Sequence, residues 1–158
     1  MPAPTSIAPR MNWMAAINED NGAGFRKSVA IPLVQIGTAA GNYPSYTMAP
    51  EDGYLHSVEV SNTNNLAASD TNFVTFSLLN WGQDGSSSRE MLASVPENTT
   101  KATGGSAAVA NARKTLKVVQ NYDLLKVKAG DRLQFVGVVT GTLPAALANG
   151  VALIRFNP

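Results

Sequence analysis

The chain has no cysteine and a single histidine. Without cysteine there is no disulfide scaffold, no thiolate nucleophile and no Cys-ligated zinc or iron–sulfur site. With one histidine, a multi-His metal site cannot be built within one copy. Charge is also scarce. Asp, Glu, Lys and Arg make up 15% of the 158 residues, against about 25% in an ordinary domain. Twelve basic residues against eleven acidic ones leave a net charge of +1, too little for bulk electrostatic capture of nucleic acid or an anionic membrane. No apolar run approaches the roughly 20 residues of a membrane span. The opening MPAPTSIAPR has neither a basic n-region nor an apolar h-region, so cytosolic synthesis is expected. There is no P-loop, Gly-x-Gly-x-x-Gly or Gly-x-Ser-x-Gly, and no repeat of fixed period.

Small and uncharged polar residues fill the space that charge leaves: Ala, Gly, Ser, Thr and Asn. Such a surface suits packing against other proteins. The length fits one ordinary domain, and the chain reads as two parts. Residues 1–28 form an N-terminal arm. Pro2, Pro4 and Pro9 favour an extended start. Met11, Trp13, Met14 and Ile17 make an apolar patch whose spacing allows one or two helical turns over 12–18. Asn18–Gly24 (NEDNGAG) ends anything regular. Such a segment either folds back on its own domain or lies on another protein, because a free tail would leave Trp13 in water.

Residues 29–158 read as a β-sandwich. Strands are expected near 29–36, 44–48, 54–61, 71–80, 90–95, 114–119, 131–140 and 150–156, separated by Gly, Pro, Asn and Asp clusters. Alternation places Tyr54, His56, Val58 and Val60 on one face, opposite Ser57, Glu59 and Ser61. It groups Val74, Phe76 and Leu78, and likewise Leu133, Phe135 and Val139. Ala107–Arg113 is the one candidate for a short helix beyond the arm. Eight short strands with long crossings at 61–70 and 96–113 point to an all-β fold, an antiparallel two-sheet sandwich of jelly-roll type.

The candidate chemistry is thin. His56 reads as a core or interface histidine. Ser86, Ser87 and Ser88 follow Asp84-Gly85 as a loop tip. The carboxylates fall mostly in turns, where backbone bonding explains them, and no pair is marked for glycoside hydrolysis. Asn62–Asp70 is rich in oxygen but has one carboxylate, so it reads as a turn and not a calcium loop. The basic stretch from Arg113 to Arg132 is broken by Asp123 and Asp131, and Lys126/Lys128 alternate about Val127 as a solvent face. Asn98-Thr99-Thr100 matches a glycosylation sequon by chance. Tyr43, Tyr46, Trp81 and Tyr122 are the aromatics that could stack on a sugar. No enzyme, cofactor or metal is expected.

Three segments carry a resemblance: Met48–Leu55 (MAPEDGYL); Asp70–Gly82 (DTNFVTFSLLNWG), with Asp84-Gly85 after it; and Asn98–Gly105 (NTTKATGG), followed by Ala129–Phe135 (AGDRLQF). Together they resemble small virion proteins of tailed bacteriophages, jelly-roll head decoration (cement) proteins above all. The likeness spans about residues 44–156. It implies a non-enzymatic role: a homotrimer on the outside of the head, clamping neighbouring copies of a major capsid protein, with no nucleic-acid or membrane partner. Linked modest contacts would give such a trimer its avidity. Met11, Trp13, Met14, Ile17 and Phe25 are then the expected contacts with the capsid or a neighbouring subunit. The alternatives are another virion module (fibre, tail or minor capsid protein) and a carbohydrate-binding sandwich.

Overall fold

The computed structural model describes residues 27–157. Among them are nine strands: β1 (Lys27–Pro32), β2 (Gly41–Met48), β3 (Gly53–Ser61), β4 (Phe73–Asn80), β5 (Arg89–Glu90), β6 (Lys114–Leu116), β7 (Lys126–Val127), β8 (Arg132–Thr140) and β9 (Val151–Asn157). One helical turn, α1 (Tyr122–Leu125), and a 3-10 turn at Pro96–Asn98 complete the regular structure. Lys27 and Ser28, expected in the arm, open β1. Met11, Trp13, Met14, Ile17 and Phe25 lie outside the described residues, as does the helical expectation over 12–18.

The strands form two antiparallel sheets. Sheet I has the order β1-β9-β3-β6, with β7 also on β3, and sheet II the order β2-β8-β4-β5. β6 and β7 are halves of one strand: Val60 pairs with Lys114 and Val58 with Leu116, then Tyr54 with Lys126 and Gly53 with Val127. Counted so, eight strands pair first with last, second with seventh, third with sixth and fourth with fifth. That is one long antiparallel hairpin rolled across two layers, the jelly-roll wiring.

The inner faces follow from alternation. Leu55, Val58, Val60, Ile154 and Phe156 of sheet I face Val74, Phe76, Leu78, Leu133 and Phe135 of sheet II, all buried. Phe76 and Phe135 meet across β4 and β8 at 5.9 Å between ring centres. Burying each such side chain contributes about 1.5–3 kcal/mol.

Two expectations are corrected. Tyr54 and His56 do not join Val58 and Val60 on the inner face. The β3–β9 register shifts between Leu55 and Ser57, and this bulge adds one residue. The buried set is therefore Gly53, Leu55, Val58 and Val60, while Tyr54 is exposed and His56 half-buried. Ala107–Arg113 is not helical: Leu66 and Ala108 exchange backbone hydrogen bonds at 2.8 and 3.0 Å, and Asn111 takes a positive φ of 59°.

The strands expected over 90–95 and 114–119 are shorter than the sequence suggests because both segments leave their sheets. Residues 117–125 swing out from sheet I toward sheet II. There the Ala93 amide donates to the Lys117 carbonyl at 2.8 Å, and the Val119 amide to the Met91 carbonyl at 3.1 Å. Asn98, 1% exposed, locks this seam. Its Nδ2 donates to the Ala93 and Lys117 carbonyls at 2.7 and 2.8 Å, and its Oδ1 accepts from the Lys117 amide at 2.6 Å. The side chain of the apparent sequon is thus a buried structural tie.

Candidate interaction surfaces

The two poles of the sandwich differ. One pole gathers the turns at 49–52, 81–88 and 128–131 around Asp131, which is 5% exposed. Asp131 Oδ2 accepts from Asn80 Nδ2 at 2.9 Å and from the Lys128 amide at 3.0 Å. The Asp131 carbonyl accepts from the Ala49 amide at 2.8 Å, and the Ala49 carbonyl from the Gly130 amide at 2.9 Å. Asp52 Oδ1 accepts from the Ala129 amide at 2.8 Å. The motif segments around Met48–Leu55, Asn80–Gly82 and Ala129–Asp131 therefore meet in one hydrogen-bonded knot.

The remaining segment, Asn98–Gly105, runs to the opposite pole, where it ties the loop before β4. The Val74 amide donates to Thr100 Oγ1 at 2.9 Å. The Thr103 amide and hydroxyl donate to the two Asp70 oxygens at 2.8 and 2.9 Å. These bonds hold the Asp70 carboxyl below its ordinary value. Each of the three segments is scaffold, which is why turn motifs of this kind recur in unrelated sandwiches.

The outer faces carry the functional contrast. Sheet I is ionic. Glu59 on β3 sits between Arg155 on β9, at 3.0 Å, and Arg113, at 3.4 Å. The Arg155 hydrogen bonds lower the Glu59 pKa most, with the charge of Arg113 adding to them. Glu59 is thus a paired group and not the freely solvated one that alternation suggests.

Sheet II carries charge at its β5 edge, where the strand is Arg89–Glu90 and Glu90 accepts from the Ser77 hydroxyl and the Leu78 amide. The outward positions of β2, β8 and β4 carry one charged residue, Arg132, whose guanidinium lies over the Trp81 ring at 5.8 Å. Tyr46 is 56% and Met48 66% exposed. A polar row crosses the sheet: Trp81 Nε1 donates to Gln134 Oε1 at 2.7 Å, and Gln134 Nε2 donates to the Tyr46 hydroxyl at 2.8 Å. The row fixes both aromatic side chains on the surface. β2 is inverted relative to an ordinary half-buried strand. Its Ser45 points inward, 4% exposed, and accepts from the Val34 amide at 2.7 Å. Tyr46 and Met48 beside it face out, while Tyr43 turns inward. Sequence reasoning singled out Tyr46 and Trp81 but passed over Met48 and Gln134. The inverted alternation of Ser45/Thr47 against Tyr46/Met48 was the available signal.

The other singled-out residues resolve as structure. The Tyr43 hydroxyl donates to the Ala39 carbonyl at 2.8 Å while its ring packs on the core. His56 stands at the bulge with Asn157 Nδ2 3.4 Å from its Nδ1. Ser86 bonds Asp84, which lowers the Asp84 pKa. In the Asn62–Asp70 loop, Asn64 Nδ2 donates to the Ala146 carbonyl at 3.0 Å and Asn65 Oδ1 accepts from the Ala110 amide at 2.8 Å. Lys126 and Lys128 are exposed about a buried Val127, as alternation predicts. Among the described residues no group of three or more His, Asp or Glu is placed to hold a metal ion.

The chain matches no protein-family model and no curated protein. Among solved structures, a chain from the structure of infectious bursal disease virus, Gx strain, is similar at 10% identity and a TM-score of 0.42. The match covers 85% of this chain and 33% of that one, so this chain spans about a third of that protein's length. A likeness of this size carries no functional argument.

Proposed function

We propose that this chain is a non-enzymatic virion structural protein, a capsid decoration (cement) protein that binds as a trimer to the outside of a bacteriophage head and stabilises neighbouring major capsid subunits. The observation that carries this reading is the asymmetry of the sandwich. One outer face has an ionic cluster at its centre, while the other keeps its charge to Arg132 and the β5 edge and holds Tyr46, Met48 and Trp81 on its surface. An exposed apolar patch on a small domain marks a protein contact, and interface centres are depleted in charge and enriched in aromatics and Met. The resemblance of the turn segments to decoration proteins supplies the kind of partner. The protein would be made in the host cytoplasm and finish on the head surface.

The test is co-sedimentation with expanded empty heads made from the same genome, beside light scattering of the free protein. Binding at saturating stoichiometry by a trimer is expected. Met48→Asp should weaken binding at least tenfold, since it places a carboxylate in a desolvated contact, and should leave the melting temperature within a few degrees. A monomer that stays in the supernatant while the heads pellet overturns the reading. A second reading, carbohydrate binding, is favoured by the Tyr46–Gln134–Trp81 row, which holds two aromatic side chains beside an amide. Retention on a glycan array, lost in Trp81→Ala, would support it.

A further inference from the structure

At the pole that holds the Asp131 knot, a pocket of about 450 Å³ is lined from the edges of both sheets. Arg89 of β5, in sheet II, and Lys126 of β7, in sheet I, both contribute to its wall, with Lys128, Asp84 and Asp131 among the other lining residues. Its volume is that of a small-molecule site. None of Tyr46, Trp81 and Gln134 lines it, so the pocket stands apart from both functional readings above.

The cations of this pocket lack ionic partners. The ion pairs among the described residues are Lys27–Glu51, Arg113–Glu59 and Arg155–Glu59, and Arg89, Lys126 and Lys128 take part in none of them. Arg89 is also incompletely bonded. Its Nη2 donates to the Lys126 carbonyl, but its Nε is buried without an acceptor. No other buried side-chain nitrogen or oxygen among the described residues is left so. A buried charged donor without an acceptor is costly, and in a native fold it marks a place for a water or an ion.

We propose that the pocket binds a singly charged carboxylate that also carries hydroxyl groups, the chemistry of a sugar acid. Charge chooses the anion. Three cations and two carboxylates line the pocket, which leaves one net positive charge. One carboxylate balances it, whereas a phosphate dianion would set a further negative charge against Asp84 and Asp131. The acceptors choose the rest of the ligand. Asp84 is exposed and accepts from the Ser86 amide at 3.1 Å and the Ser86 hydroxyl at 2.9 Å. A carboxylate has about four acceptor positions, so Asp84 can take hydroxyl donors as well. The Ser86 bonds hold its carboxyl below the ordinary value, which keeps it an acceptor at neutral pH. Asp131 is committed to the knot through Asn80 and the Lys128 amide. A ligand with an anionic end and hydroxyls uses both the cations and the Asp84 acceptor, where a bare anion would use the cations alone.

The experiment titrates the full 15N-labelled chain, free of any capsid, with sodium glucuronate and follows nitrogen–proton correlation spectra. Head binding plays no part in the result. Saturable shifts of the Gln83, Lys126 and Lys128 amides are expected, with a dissociation constant of about 1 mM. The Arg89 Nε–H signal should move downfield as it gains an acceptor. Lys126 and Lys128 are exposed, so the double variant Lys126→Gln/Lys128→Gln keeps the fold and should bind about tenfold more weakly. Glucose, which lacks the carboxylate, should leave these signals in place, and acetate and inorganic phosphate should each bind more weakly than glucuronate. Shifts that sodium chloride or glucose reproduces, acetate or phosphate binding as tightly as glucuronate, or full affinity in the double variant overturns the proposal.

Discussion

Asn98 is the residue on which the most depends for its size. Three hydrogen bonds hold it between the two layers at 1% exposure. Asn98→Ala removes all three and leaves the Lys117 amide and two carbonyls without this partner, a loss of about 3 kcal/mol. Urea unfolding should report it as a lower midpoint at unchanged slope. In sequence the same residue heads Asn-Thr-Thr. Its role could not be read there, because the partners at Ala93 and Lys117 come together only once the excursion has crossed between sheets. His56 is a similar case. One extra residue in β3 turns it outward, and nothing in the local alternation marks where a bulge falls.

Elements defined by period-two patterning were legible: β4, β8 and β9 lie within two residues of expectation. The segments that failed are those whose backbone bonds go elsewhere than to a neighbouring strand, at 91–98 and 117–125. Loop pairing gives the element-scale prediction. The loop before β4 and the 99–113 loop are joined through Asp70 and Thr103, whose bonds depress the Asp70 pKa below 3.8. A carboxyl with a lowered folded value binds fewer protons folded than unfolded, so its contribution is present above 3.8 and fades as pH falls through the folded value. The stability difference between wild type and Asp70→Ala should therefore be seen at about pH 6 and shrink by about pH 2. Urea midpoints at both pH values measure it, and a difference that stays constant would remove the charged form from the tie.

At the scale of the whole molecule, strand count and long crossings were enough to expect a jelly roll. The contrast between an ionic face and one whose β2, β8 and β4 rows are almost uncharged was not legible, since it depends on register across three strands at once. The rolled-hairpin wiring has a kinetic consequence. Leu79 and Glu90 are 11 residues apart, Val58 and Leu116 are 58, Ser45 and Phe135 are 90, and Val29 and Ile154 are 125. Each rung closes a longer loop than the one inside it, and closing it first would cost more chain entropy. Folding should zip outward from the β4–β5 turn, with β1 on β9 last. Pulsed hydrogen exchange during refolding should protect Leu78 and Met91 amides before those of Val29 and Ile31, and the reverse order would refute the zipper. The strand that closes last, β1, is made before its partner β9, so during synthesis it waits unpaired until the rest of the sandwich has been completed.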